Sequence, residues 1–136
     1  MFQLKQRIDF CYGHRLLNYA GKCRFLHGHN GRVEIVLSGT QLDERGMLVD
    51  FSDIKKSLRT WIDNELDHRM ILHRDDPLLP TLQKLQEPVV VIPVNPTAEN
   101  IAKLIFDRAI ECGFPVSAVG LWETPNSCAV YTGDRS

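Results

Sequence analysis

The chain has 136 residues, 43% of them hydrophobic and 24% charged, with a formal net charge of -1. That is one domain of ordinary size and globular composition. The near-zero charge gives no electrostatic case for a nucleic acid or membrane partner, and no apolar run approaches the roughly 18 residues that span a bilayer.

The start of the chain, Met-Phe-Gln-Leu-Lys-Gln-Arg-Ile-Asp, alternates and is charged. A signal peptide reads differently, so the expected location is the cytoplasm. The cysteines Cys11, Cys23, Cys112 and Cys128 show no C-x-x-C spacing. In a reducing compartment they are expected as free thiols.

Phe2, Leu4, Ile8 and Phe10 share one parity, with Gln3, Lys5, Arg7 and Asp9 on the other. This alternation predicts a strand over residues 2–13, with Gln6 the one polar interruption of its apolar face. His14 continues the apolar parity. Residues 15–26 read as a loop. Alternation resumes from His29, with Val33, Ile35 and Leu37 inward. His27 and His29 share that inward parity, and side chains at i and i+2 of a strand point to one face. Consecutive strands most often pair antiparallel. The end of the first strand then lies beside the start of the second, and His14, His27 and His29 meet on one inner face. Three imidazoles and an open position make a catalytic zinc site.

Further on, residues 52–66 read as a helix capped by Asp50 or Ser52. Its apolar stripe is Ile54, Leu58, Trp61, Ile62 and Leu66. Leu66-Asp67-His68-Arg69 follows, then a polar turn at His73-Arg74-Asp75-Asp76-Pro77. His73 and Arg74 read as surface residues. Residues 75–88 carry three prolines and look irregular; Val89–Ile92 is a short apolar run expected as a strand. A second helix opens at Thr97, buries Ile101, Leu104, Ile105 and Ala109, and stops at Gly113. Residues 116–124 and 127–133 read as two strands about a Pro125-Asn126 turn. The order β-β-α-α-β-β over a single domain, residues 1–136, is α+β.

Several motifs lie in register along the chain: Phe10 with His14, Cys23-x-x-x-His27-Gly28-His29-Asn30, Val49-Asp50-Phe51, Leu66-Asp67-His68, Pro96-Thr97-Ala98-Glu99-Asn100 and Glu123-Thr124. In these the chain resembles the 6-pyruvoyl-tetrahydropterin synthase family. The three-residue spacing from Cys23 to His-Gly-His resembles that family's bacterial 6-carboxy-tetrahydropterin synthase branch. The resemblance implies the tunnelling fold, with a four-stranded antiparallel sheet, two helices on one face, and hexamers made of two trimers. It also implies a small-molecule substrate, 7,8-dihydroneopterin triphosphate, a zinc ion on His14, His27 and His29, and a product feeding queuosine and other deazapurines.

Each candidate has a plain alternative beside its functional role. Cys23, flanked by Lys22 and Arg24 and close to a metal, is favoured as a thiolate and so as a general base. Otherwise it is a buried hydrophobe, or the fourth ligand of a closed structural zinc site. Asp67 and His68 are either a polar pair at a helix end or, as the resemblance implies, a proton relay with Asp67 orienting the ring. As sequence neighbours they need a turn, or contact with another subunit, to act together. Glu123 lies among apolar neighbours and needs a partner. That partner is an arginine or the amino-pyrimidine edge of a pterin. Thr97 and Ala98 resemble the family's second contact to the pterin, with Thr97 equally a helix cap. The remaining enzyme alternative is a 6-pyruvoyl-tetrahydropterin synthase, and the non-enzyme alternative is a structural zinc module. Two departures stand out: Tyr12-Gly13, where the family often has small residues, and Gly31, where an aromatic commonly stands. The first is expected to reshape the pocket wall and the second to loosen the second strand.

Overall fold

A computed structural model describes residues 1–134. The alternating segments form a long hairpin of β1 (Phe2–His14) and β2 (His27–Gly39). Their antiparallel register runs without a break from Phe2↔Gly39 to His14↔His27. A 3₁₀ turn, Lys22–Arg24, lies within the connecting loop. Gly31 keeps its place in the β2 ladder, paired in register with Phe10.

Helix α1 is α-helical over Phe51–Ile54, π-helical over Lys55–Arg59 and α-helical again over Thr60–Glu65. The Asp50 side chain caps it by accepting the Ser52 N–H. Ile54, Leu58 and Ile62 form its buried face, and Leu66 extends it. Then come β3 (Arg69–His73), the short helix α2 (Leu79–Lys84) and β4 (Val89–Ile92). Helix α3 (Ala98–Glu111) precedes the final hairpin of β5 (Val116–Thr124) and β6 (Ser127–Tyr131). Gly113, at φ 84°, takes the left-handed conformation that ends α3.

The α+β class is as expected, but the sheet has six strands in the order β4-β3-β1-β2-β5-β6. Beyond the expected four-stranded sheet, the unforeseen β3 and the run expected as a strand at Val89–Ile92 extend it past β1, and they run parallel, so the sheet is mixed. The cause is the run Met70-Ile71-Leu72, enclosed between polar residues. Ile71 and Leu72 are fully buried there, and β3 brings Val89–Ile92 in as the edge strand.

One core holds the inward residues of the sheet, among them Ile8, Phe10, Val33, Ile35 and Leu121. The apolar faces of α1 and α3 complete it. The outer face is polar, with Arg7 bonded to Glu34 and Arg32 to Asp9. Among the described residues no helix is long and apolar enough to cross a membrane.

Candidate active site

The hairpin register places His14 opposite His27 and Tyr12 opposite His29. The three imidazoles converge on the inner face, with ring centroids 4.5 Å apart for His14–His27 and 5.1 Å for each of the other pairs. Their ligating nitrogens all lie within 4.8 Å of one another.

Two of the rings are held through Nδ1. His14 Nδ1 lies 2.7 Å from the Pro96 carbonyl, and His27 Nδ1 lies 2.7 Å from the Phe25 carbonyl. A carbonyl only accepts, so each Nδ1 carries the proton and each Nε2 keeps its lone pair. Fixing one ring nitrogen in this way presents the other to a metal. The Nε2 atoms of His14 and His29 are buried without a hydrogen-bond partner. Burial pushes His14 below the ordinary imidazole range, outweighing the Pro96 bond that acts the other way. Three convergent imidazoles, two of them with orphaned nitrogens, fit a divalent metal, which supplies the partner that buried nitrogens need.

Glu123, near the end of β5, faces this triad. Its Oε1 is 3.9 Å from His14 Nε2 and its Oε2 is 4.0 Å from His29 Nε2. The Tyr12 hydroxyl reaches Oε1 at 3.5 Å. The carboxylate therefore has no arginine partner among the described residues. Beside the triad, the Asn95 side chain both donates to the Leu17 carbonyl and accepts from the Leu17 N–H. This clamp fixes the loop whose Pro96 carbonyl holds His14. Thr97 and Ala98 follow directly, and the Thr97 hydroxyl caps α3 by accepting the Asn100 N–H.

Asp67 and His68 stand elsewhere. They line the edge of β1 beside Cys11, and the three form a second group whose ligating atoms lie within 4.8 Å. The Cys11 N–H donates to Asp67 Oδ1, the His68 N–H donates to the Cys11 carbonyl, and His68 Nδ1 donates to Asp67 Oδ2. His68 takes a left-handed φ of 59°, unusual for a side chain with a Cβ. Burial raises the Asp67 carboxyl, but the Cys11 and His68 bonds outweigh it, and the net shift is downward. Two clefts of about 800 and 790 Å³ open beside the pair, and the smaller also reaches His27 and His29.

Cys23 sits half-buried in the 3₁₀ turn and belongs to neither group. The structure thus brings together His14, His27, His29 and Glu123, with Thr97 and Ala98 nearby. Within one chain it leaves the Asp67–His68 pair and Cys23 outside that cluster.

Residues 3–134 match the 6-pyruvoyl tetrahydropterin synthase family. The chain belongs to that family. It is an enzyme, a pterin synthase of the lyase class. Among the family's members it is 38% identical to the 6-carboxy-5,6,7,8-tetrahydropterin synthase of Rickettsia conorii, over 93% of this chain and 96% of that one. It is 33% identical to the Haemophilus influenzae enzyme of the same name, over 96% and 99% of the two chains. The crystal structure of an uncharacterized Wolinella succinogenes protein superposes with a TM-score of 0.82 at 32% identity, covering 98% of each chain. Caenorhabditis elegans 6-pyruvoyl tetrahydropterin synthase shares the fold, with a TM-score of 0.73 at 23% identity over 98% and 96% of the chains.

Sequence patterning did not assign roles to four residues that shape this family site. Asn95 and Pro96 act through backbone groups and carry no pattern of their own. Cys11 anchors Asp67 through its main chain. Tyr12 was visible only as a large residue where a small one is usual.

Proposed function

We propose that the chain is a zinc-dependent 6-carboxy-tetrahydropterin synthase. Its substrates are 7,8-dihydroneopterin triphosphate and water, and its products are 6-carboxy-tetrahydropterin, acetaldehyde and triphosphate. The observation that carries this reading is the set of buried, unpartnered imidazole nitrogens facing a carboxylate that has no arginine or lysine partner among the described residues. The names of the bacterial relatives support the carboxy product.

In this reading His14, His27 and His29 hold zinc, which supplies Lewis-acid polarisation of the substrate side-chain hydroxyls. Glu123 accepts two N–H bonds from the amino-pyrimidine edge, a charge-assisted pair that fixes the ring. The Thr97 hydroxyl, already an acceptor for the Asn100 N–H, keeps its own proton to donate, and Ala98 lines the same wall. Cys23 removes a proton from the side chain. Asp67 remains a carboxylate and holds the Nδ1–H of His68, so that Nε2 of His68 gives or takes protons. The Asp67–His68 pair serves a neighbouring subunit's histidines, because it does not join the triad of its own chain. The open edges at β4 and β6 fit closure into a ring, and we propose a hexamer of two stacked trimers. The protein then works in the cytoplasm, on the route to queuosine.

Incubating zinc-loaded protein with 7,8-dihydroneopterin triphosphate and weighing the products tests the proposal. Carboxy-pterin with equimolar acetaldehyde is expected. A pyruvoyl pterin without acetaldehyde would move the chain to the other branch. No turnover, combined with unfolding on chelation, would favour a structural metal.

A further inference from the structure

Glu123 sits at the threshold of the three-histidine site. Ligand atoms on a tetrahedral zinc with bonds of about 2.0–2.1 Å stand roughly 3.4 Å apart. The carboxylate oxygens of Glu123 are 3.9 and 4.0 Å from the free nitrogens of His14 and His29. Each oxygen thus lies only roughly 0.5 Å beyond ligand spacing from one imidazole, and movement of the carboxylate toward the triad would carry it to the position a catalytic zinc keeps open. Such a carboxylate needs something to hold it back.

The group that reaches it is Tyr12. The ring is 2% exposed and stacks on Phe10 at 5.1 Å. It stands edge-on to His14 at 5.3 Å and tilted to His29 at 5.7 Å. It starts on β1, crosses β2 and ends on β5, where its hydroxyl meets Glu123 Oε1. Crossing β2 requires an empty place there, and Gly31 supplies it. A Cβ on residue 31 would lie 2.9 Å from Tyr12 Cε1 and 3.4 Å from Leu121 Cδ1. Tyr12 and Gly31 are thus one device, a large residue on β1 passing over a missing side chain on β2.

We infer that Tyr12 is a positioning residue that tethers Glu123 off the metal, keeping the fourth coordination position open and the carboxylate free for a ligand's paired N–H donors. The tyrosine hydroxyl donates one hydrogen bond to Oε1, the oxygen nearer His14, and so competes with the metal position for that oxygen. Oε2 stays available. The inference rests on the metal-site reading of the histidines.

The test is Tyr12→Phe, which keeps the ring and removes only the tether. Without it, Glu123 closes on the metal. Affinity for Co²⁺, measured by competition with a chromophoric chelator, should rise about tenfold, the low end of what an outer-shell change produces. The visible absorption of the bound Co²⁺ should change shape as a carboxylate enters. Binding of a pterin, followed by fluorescence quenching, should weaken in the same variant. A purely structural role for Tyr12 would lower both affinities or neither, so opposite signs are diagnostic. In a Glu123→Gln background Tyr12→Phe should change neither quantity. Tyr12→Ala combined with Gly31→Phe moves the aromatic to β2 without a hydroxyl and should behave like Tyr12→Phe. Unchanged or weakened Co²⁺ binding in Tyr12→Phe overturns the inference. The metal arm uses no pterin, so a wild-type protein that ignores pterins would sink the substrate reading and leave the Tyr12 test standing.

Discussion

The two sides of β1 carry site residues in opposite ways. On the inner side, His14 is 2% exposed, and two of the three imidazoles are locked by main-chain carbonyls. On the outer side, the His68 side chain is 78% exposed and held by its neighbour Asp67. The inner group is complete within one chain. The outer group is an oriented acid–imidazole pair with no reacting partner among the described residues of its own chain. A buried site is built by packing, and its precision comes from the core around it. The exposed pair, with its left-handed backbone at His68, is the one we propose to act on a neighbouring subunit.

The largest expected effect breaks the inner group. His27→Ala or His29→Ala leaves two imidazoles, and zinc affinity should fall by at least about 10²-fold because a three-ligand site loses one of the atoms that bind the metal. Metal analysis after dialysis measures it. Full occupancy in either variant would mean that the imidazoles converge for packing alone.

The next prediction separates the two sides. Cys23→Ala and His68→Ala should each keep zinc and lose roughly 10²–10⁴ in rate, the range for a positioned proton-transfer group. If the pair serves a neighbouring subunit, mixing the two inactive variants by unfolding and refolding should restore activity. Mixed oligomers then contain some sites with both groups intact. No recovery in mixtures shown to exchange subunits would place both groups in a single-chain site.

A third prediction concerns what holds the inner side in place. Asp76 is 2% exposed and is paired with Arg15, next to His14. It also accepts the Leu78 N–H at 2.8 Å. The Arg15 bond and the Leu78 bond, against burial, hold its carboxyl below the ordinary aspartate range. The pair's contribution is therefore full above the unfolded-state value and is lost as pH falls through the lower folded-state value. Asp76→Ala leaves Arg15 without its partner and should cost about 3 kcal/mol at pH 7, the low end for buried pairs because Arg15 is partly exposed. Urea unfolding at pH 7 and below pH 4 checks this. The difference between variant and wild type should shrink in acid.

The inner side was legible in the sequence, and the outer side was much less so. Parity along two strands and the rule of antiparallel neighbours were enough to bring His14, His27 and His29 to one face. Those signals are local, and a strand of 13 residues repeats them many times. The helices carried their caps, Asp50 and Thr97, in plain view. Strand β3 was hidden because a five-residue strand has no period to count. Its parallel partners also lie far off in sequence. The Asn95 clamp and the Pro96 carbonyl use groups that every asparagine or residue possesses. Glu123 was legible as a carboxylate in need of a partner. That the partner is a tyrosine reaching across two strands depends on the vacancy at Gly31, which only the folded sheet reveals.

The smallest expected effect sharpens the contrast between two thiols. Cys11 lies with Asp67 and His68, whereas Cys23, the thiol proposed to transfer protons, lies in the 3₁₀ turn away from both. Proximity alone would favour Cys11. Yet its main chain does the holding: the N–H donates to Asp67 Oδ1 at 2.9 Å, and the carbonyl accepts the His68 N–H at 2.7 Å. Any residue but proline in a strand at position 11 keeps both bonds. Cys11→Ala removes a half-buried thiol and leaves the pair in place. Activity should therefore stay within about twofold of wild type, as for a substitution that disturbs neither core nor network. Cys23→Ala should fall by orders of magnitude under the same assay. If the order is reversed, the thiol that works with His68 is the one beside it in the same chain. The neighbouring subunit would then have no part in the proton transfer.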